Sequence, residues 1–153
     1  FGHAFITSEG LELPGLGILD VTTRGQSTRM IGGIVLDTPW GEVVGFENHS
    51  GATVLGDGQA PFGTVRVGHG NNGHDRTEGA RSHNVIGSYL HGPLLPANPA
   101  VADALIGAAA ERATGRPFEP EQVDDTLADN ARTRQIARLL ARGTGKLTDT
   151  TVH

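Results

Sequence analysis

The sequence changes character at Asn98-Pro99. Upstream of it, apolar residues come in short runs rich in Val, Ile and Leu, separated by turn-forming residues; downstream they recur at helical spacing. A chain patterned this way places strands first and helices afterwards, an α/β arrangement whose helices must cover a sheet. Asn98 reads as a helix cap and Pro99 as the first helical residue, where a missing N–H costs nothing. Val101, Leu105 and Ala108 then keep helical spacing until Gly115. Glu119-Pro120 repeats the opening device for a second helix through Val123, Leu127 and Ala131. That helix carries Ile136, Leu139 and Leu140 on a neighbouring face and runs to Gly143. The polar tail, residues 144–153, is expected to fray.

Before the break, residues 15–21 (GLGILDV) and 30–36 (MIGGIVL) read as buried strands, with residues 22–28 as a polar loop around Gly25. Pro39-Trp40-Gly41 makes a turn ahead of a strand at 42–46. Residues 51–63 read as a long loop, and residues 64–67 alternate like an edge strand. Residues 69–77 carry Asn-Gly and Asp turn chemistry, and residues 84–90 return to a strand that ends at His91-Gly92-Pro93. No internal repeat or long linker divides the 153 residues, so they amount to one domain with a single core.

Composition excludes several classes. The 23 glycines follow no triplet period, which removes a collagen-like reading. A net charge of −5 with scattered arginines argues against a nucleic-acid surface. No stretch approaches the eighteen or so apolar residues of a membrane span. The opening Phe1-Gly2-His3-Ala4-Phe5 has neither an initiating Met nor a basic segment, so it resembles neither a natural start nor a signal peptide. The chain contains no cysteine.

Seven histidines (3, 49, 69, 74, 83, 91 and 153) invite a metal hypothesis, but none lies in either expected helix at ligand spacing. His69 and His74 share a loop with Asp75, which reads more simply as exposed and solvated, so no metal is expected. Residues 71–75 lack the acidic ladder of a calcium loop. No Gly-x-Ser-x-Gly elbow appears. His91 stands out because it closes a buried-looking strand, and ligands of open α/β sheets collect at strand ends. An imidazole there can serve as a general base near neutral pH. Position alone leaves a backbone-bonded structural histidine equally open. A second strand-end histidine, His49, suggests that two strand ends converge.

Three runs carry a resemblance: Gly45-Phe46-Glu47-Asn48-His49-Ser50-Gly51, then Gly70-Asn71-Asn72 with Glu78-Gly79, then residues 87–99 (GSYLHGPLLPANP). Together they resemble the CobB/CobQ-like class I glutamine amidotransferases over about residues 1–107, most closely the small GatD-type glutaminase subunits. The resemblance implies a flavodoxin-like domain of which this chain is the carboxyl part, a mixed sheet followed by two helices. Lacking the first strands, such a part is expected to expose a sheet edge and an apolar face.

The activity implied is hydrolysis of glutamine to glutamate and ammonia. The ammonia passes to a Mur-ligase-like partner, MurT, which uses ATP and amidates the D-glutamate of lipid II to D-isoglutamine. No cofactor is implied for this subunit, and a cytoplasmic location is. His91 matches the catalytic histidine, Arg29 an arginine that grips the substrate α-carboxylate, and Asn48, His49 and Ser50 a segment that meets the glutamine head. The family's cysteine nucleophile falls a few residues before the position that Phe1-Gly2 matches, so the chain alone is expected to be inactive.

Many class I members place a glutamate two residues after the histidine; here that position is Pro93. Glu47, the partner, or an unassisted dyad are the alternatives for orienting His91. Two other functions stay open: cobyrinate or cobyric acid amidation, and a non-catalytic ligase-binding module.

Overall fold

A computed structural model describes residues 1–118, 120–121 and 123–143. Its centre is a long antiparallel hairpin, β3 (Val21–Thr38) against β4 (Gly41–Leu55), paired from Val21↔Leu55 to Thr38↔Gly41 with a register shift between Gly25 and Met30. On one side β1 (Ala4–Ile6) runs parallel to β3, and β2 (Glu12–Pro14) pairs antiparallel with β1. On the other side β9 (Leu90–His91) pairs with β4. β5 (Gly63–Val67) also pairs with β3, and β6 (Thr77–Glu78) with β5. β7 (Ala80–Ser82) and β8 (Val85–Gly87) form a separate two-stranded sheet. The class is α/β, with a mixed sheet followed by helices, as expected.

Alternation along β3 and β4 sends side chains to two cores, because successive residues point to opposite faces. Ile34, Leu36 and Val43 pack with Phe62, Val65 and Val101 of α2 (Pro99–Thr114). Val35 and Val44 face the other way and meet Ile136 of α3 (Thr126–Gly143), with Leu139 and Leu140 beside it. Gly33 lets α3 approach this closely: a Cβ there would lie 2.6 Å from the Leu139 side chain.

Several boundaries differ from expectation. The strand expected at 15–21 is irregular up to Asp20, because its N–H groups bond to residues 1–3 instead of a neighbouring strand. Gly15 N–H donates to the His3 carbonyl, and those of Ile18 and Leu19 donate to the carbonyl of Phe1. Of its apolar residues Leu19 and Val21 are buried, whereas Leu16 and Ile18 are exposed. Conversely the loop expected at 22–28 belongs to β3. Its polarity comes partly from threonine, a β-branched residue suited to strands. Thr23 sits opposite Thr53 with their hydroxyls 2.7 Å apart. β4 accordingly runs on to Leu55, into the region expected to be loop. The expected strand at 84–90 is two strands in two sheets, β8 and β9, broken at Ser88-Tyr89.

Among the helices, α2 begins at Pro99 and ends at Gly115, which takes the left-handed conformation at φ 67°. Asn98 makes no side-chain cap bond. Its amide instead spans to β4, accepting from Val44 N–H and donating to the Val44 carbonyl, both at 2.9 Å. A single turn, α1 (Leu94–Ala97), precedes it and was not anticipated. The expected opening at Glu119-Pro120 lies partly outside the described residues, and α3 starts at Thr126, whose N–H is accepted by the Asp124 carboxylate. Val123 and Leu127 are consequently exposed rather than on the core face. The tail at 144–153 also lies outside the described residues. Among the described residues no helix is long and apolar enough to cross a membrane.

Candidate active site

β4 carries the site, because its outer edge receives β9. Phe46 pairs with His91 and Glu47 with Leu90. Residues directly opposite each other share a face, so His91 lies on the face of Phe46 and Asn48, and Leu90 on the face of Glu47. Gly45 makes room for that second contact, since a Cβ there would lie 2.6 Å from Leu90 Cδ2.

On the first face three of the expected residues meet. His91 Nε2 lies 3.3 Å from the Asn48 carbonyl, and Arg29 Nε donates to the Asn48 side-chain oxygen at 2.7 Å. A carbonyl only accepts, so this contact puts the proton on Nε2 and leaves the lone pair on Nδ1. At 3.3 Å the bond is long, and the exposed ring is free to reorient. With Nε held by Asn48, the two terminal nitrogens of Arg29 remain on the far side of the guanidinium, the edge suited to a carboxylate. Ser50 follows on the strand and is exposed. Exposed Ile31, opposite Asn48 on β3, and Phe46 give the surface around the polar groups an apolar component.

The structure turns His49 to the other face. Its ring is buried, stacks on Tyr89 with centroids 3.6 Å apart and planes 3° apart, and its Nδ1 donates to the Gly51 carbonyl at 2.8 Å. His49 Nε2 is buried without a hydrogen-bond partner, 3.8 Å from Glu47 Oε2. It is thus not brought together with Arg29, Asn48 and His91.

Glu47 also belongs to this second face and is fully buried. Its carboxylate accepts from His69 N–H at 2.7 Å, His69 Nδ1 at 2.9 Å and Gly70 N–H at 2.9 Å. Burial pushes this carboxyl up, but the facing His49 and the donors of His69 and Gly70 outweigh it and hold the pKa below the ordinary value. With those partners on the opposite face, Glu47 does not orient His91. His69, expected in a solvated loop, is instead half-buried because Glu47 grips it. Among the described residues no three His, Cys, Asp or Glu side chains group as metal ligands.

A further buried acid is Glu78, quoted above only as part of the family run, because a two-residue strand has no period from which burial could be read. Its carboxylate accepts from Tyr89 N–H at 2.7 Å and from the Ser88 hydroxyl at 3.2 and 3.3 Å. Beside this cluster an open cavity of about 170 Å³ is lined by Phe1, Thr23, Thr53, Ser88 and Tyr89 among others.

The family that these features point to is confirmed by comparison. Residues 1–99 match the CobB/CobQ-like glutamine amidotransferase domain, and the chain belongs to that family. It is 44% identical over 138 residues to the lipid II isoglutaminyl synthase (glutamine-hydrolyzing) subunit GatD of Staphylococcus aureus, covering 90% of this chain and 56% of that one. Similarity to the GatD subunit of Streptococcus pneumoniae is 36% over 130 residues, covering 83% and 50%. The cobyric acid synthase of Sphingopyxis alaskensis is 38% identical over 125 residues, covering 78% of this chain and 23% of its own. The chain thus spans about half the length of the GatD subunits it matches.

Proposed function

We propose that this chain forms the histidine-bearing part of a glutaminase subunit whose ammonia serves a Mur-type ligase that amidates the D-glutamate of lipid II to D-isoglutamine. The observation that carries this is the meeting of Arg29, Asn48 and His91 on one face at the edge of β4. Arg29 supplies the fork for the α-carboxylate of glutamine, and Asn48 holds that fork. His91 takes the proton of a cysteine thiol as it attacks the side-chain amide carbon, then returns it to the departing ammonia. Water hydrolyses the resulting thioester and releases glutamate.

The chain contains no cysteine, so the thiol is supplied from outside these 153 residues, and the chain by itself hydrolyses no glutamine. With Pro93 in the position where many relatives carry glutamate, and Glu47 on the opposite face, the carboxylate that orients His91 is best assigned to the ligase partner. That arrangement couples hydrolysis to assembly. Ser50 is placed with the substrate-facing residues, and His49 is reassigned to supporting Tyr89.

The longer coverage of GatD subunits favours the lipid II acceptor over a corrin acceptor. The test is transfer of 15N from amide-labelled glutamine by the full-length protein with its ligase partner and ATP. Label in the D-isoglutamine of lipid II supports the proposal. Label that reaches only a corrin carboxylate, or none released at all, refutes it.

A further inference from the structure

Glu78 is buried and takes no part in the hydrolysis proposed above. Taking a carboxylate out of water is costly unless donors compensate it. Its donors are all supplied by the approach to His91. Tyr89 N–H and the Ser88 hydroxyl bond directly to the carboxylate, and Ser88 Oγ in turn accepts from Leu90 N–H at 3.0 Å. Three consecutive residues therefore hang on one side chain, immediately before the candidate base.

The support beneath Glu78 is firm. β6 pairs it with Gly63, and Asn71 holds the next residue at both backbone groups, accepting from Gly79 N–H and donating to the Gly79 carbonyl, each at 2.9 Å. β9 itself is short, with two paired residues and Leu90 packed against the core, and a Cβ added to Gly92 after it would meet open space. The placement of His91 thus depends on what grips residues 88–90.

We propose that Glu78 is a positioning residue for His91, its carboxylate setting, through Ser88, Tyr89 and Leu90, where β9 presents the imidazole. This rests on His91 being the general base. The groups that face Glu78 fit such a role. The charges of Glu47 and His49 act on it from β4, His69 is bonded to Glu47, and the Tyr89 ring is held by stacking on His49 and by its hydroxyl 2.7 Å from that of Thr53. Burial pushes the Glu78 carboxyl up to about 7 against the Tyr89 and Ser88 donors, with Glu47 adding to the rise and His49 opposing it. A protonated carboxyl accepts less well, so the grip loosens as pH falls through about 7.

The test compares Glu78→Ala, Glu78→Gln and Ser88→Ala in the full-length protein with its ligase partner. Displacing a catalytic group by about 1 Å costs up to about 100-fold, so Glu78→Ala is expected to lower kcat for glutamine hydrolysis about 10- to 100-fold, with KM within about twofold. Glu78→Gln keeps an oxygen for Tyr89 N–H and recovers most of the loss. The His91 ring resonances move in Glu78→Ala and return towards wild type in Glu78→Gln. The Tyr89 amide titrates near pH 7 in wild type and not in Glu78→Gln.

Unchanged kcat and unmoved His91 resonances in folded Glu78→Ala would overturn the proposal. Should that variant not fold, Ser88→Ala decides on the same two readouts. If the wild type hydrolyses no glutamine, the function proposed above fails, while the ring resonances still decide whether Glu78 positions His91.

Discussion

At the scale of single residues, the two faces of β4 separate the residues of the proposed chemistry from buried ones. Asn48 touches both Arg29 and His91, whereas Glu47 and His49, one residue to either side, are buried behind the sheet. Glu78 makes stability sensitive to pH. Its carboxyl is raised from the ordinary 4.5 to about 7, so between those values the folded chain keeps a proton that the unfolded chain has released. Its contribution to stability therefore declines as pH rises across that window and is flat above it. At 1.36 kcal/mol per pKa unit the total is about 3 kcal/mol. Denaturant unfolding of wild type and Glu78→Gln at a series of pH values checks this. The variant is expected to gain on wild type by about 3 kcal/mol from pH 4.5 to 7, and a pH-independent difference would contradict it. His91 and Arg29 were legible as candidates in the sequence, from a strand end and a family pattern. Their meeting at Asn48 was not, because it depends on the β3–β4 register across an irregular stretch.

At the scale of elements, Asn98 joins helix to sheet. β9 is too short to cover the whole outer edge of β4, and the Asn98 amide takes the place of a paired strand at Val44 while also donating to the Leu94 carbonyl at 2.7 Å. Asn98→Ala would leave a buried N–H and a buried C=O of Val44 unpaired. Each such group costs about 1–3 kcal/mol, so a loss of about 2–6 kcal/mol is expected by urea denaturation, against about 1 kcal/mol if Asn98 were only a surface helix cap. The sequence signalled the helix start here through Asn-Pro, and α2 begins where that signal lies. It did not signal where the side chain points, because a cap and a strand surrogate use the same residue type. The misplaced start of α3 has a similar origin: Glu119-Pro120 imitates an opening, while Asp124 performs one. The exchange of strand and loop around residues 15–28 follows from reading polarity before β-branching.

At the scale of the whole molecule, apolar clusters among the described residues lie on both faces of the hairpin, with a third of Leu19, Val21 and Ala80 beside its open end, and the β1–β2 side is left bare. Phe1, Leu11, Leu13, Leu16 and Ile18 are all exposed there, Phe1 at 71% and Leu16 at 79%. An apolar surface of this kind marks a contact face. The folded 153-residue chain is therefore expected to bind an apolar fluorescent dye at neutral pH, and Leu13→Glu with Leu16→Glu to abolish most of the signal. Dye binding that persists in the folded double variant would locate the apolar surface elsewhere. The fold class was legible from the strand-then-helix pattern, and the family from the run at 87–99.

The central claim is that His91 is the base of a glutaminase. Its most direct measurement is the rate of ammonia release from glutamine by the full-length protein with its ligase partner, wild type against His91→Ala. General acid–base catalysis contributes about 100- to 10,000-fold, so the variant is predicted to lose at least about 100-fold in kcat while remaining folded and bound to the partner. A folded His91→Ala protein that releases ammonia at the wild-type rate would contradict it.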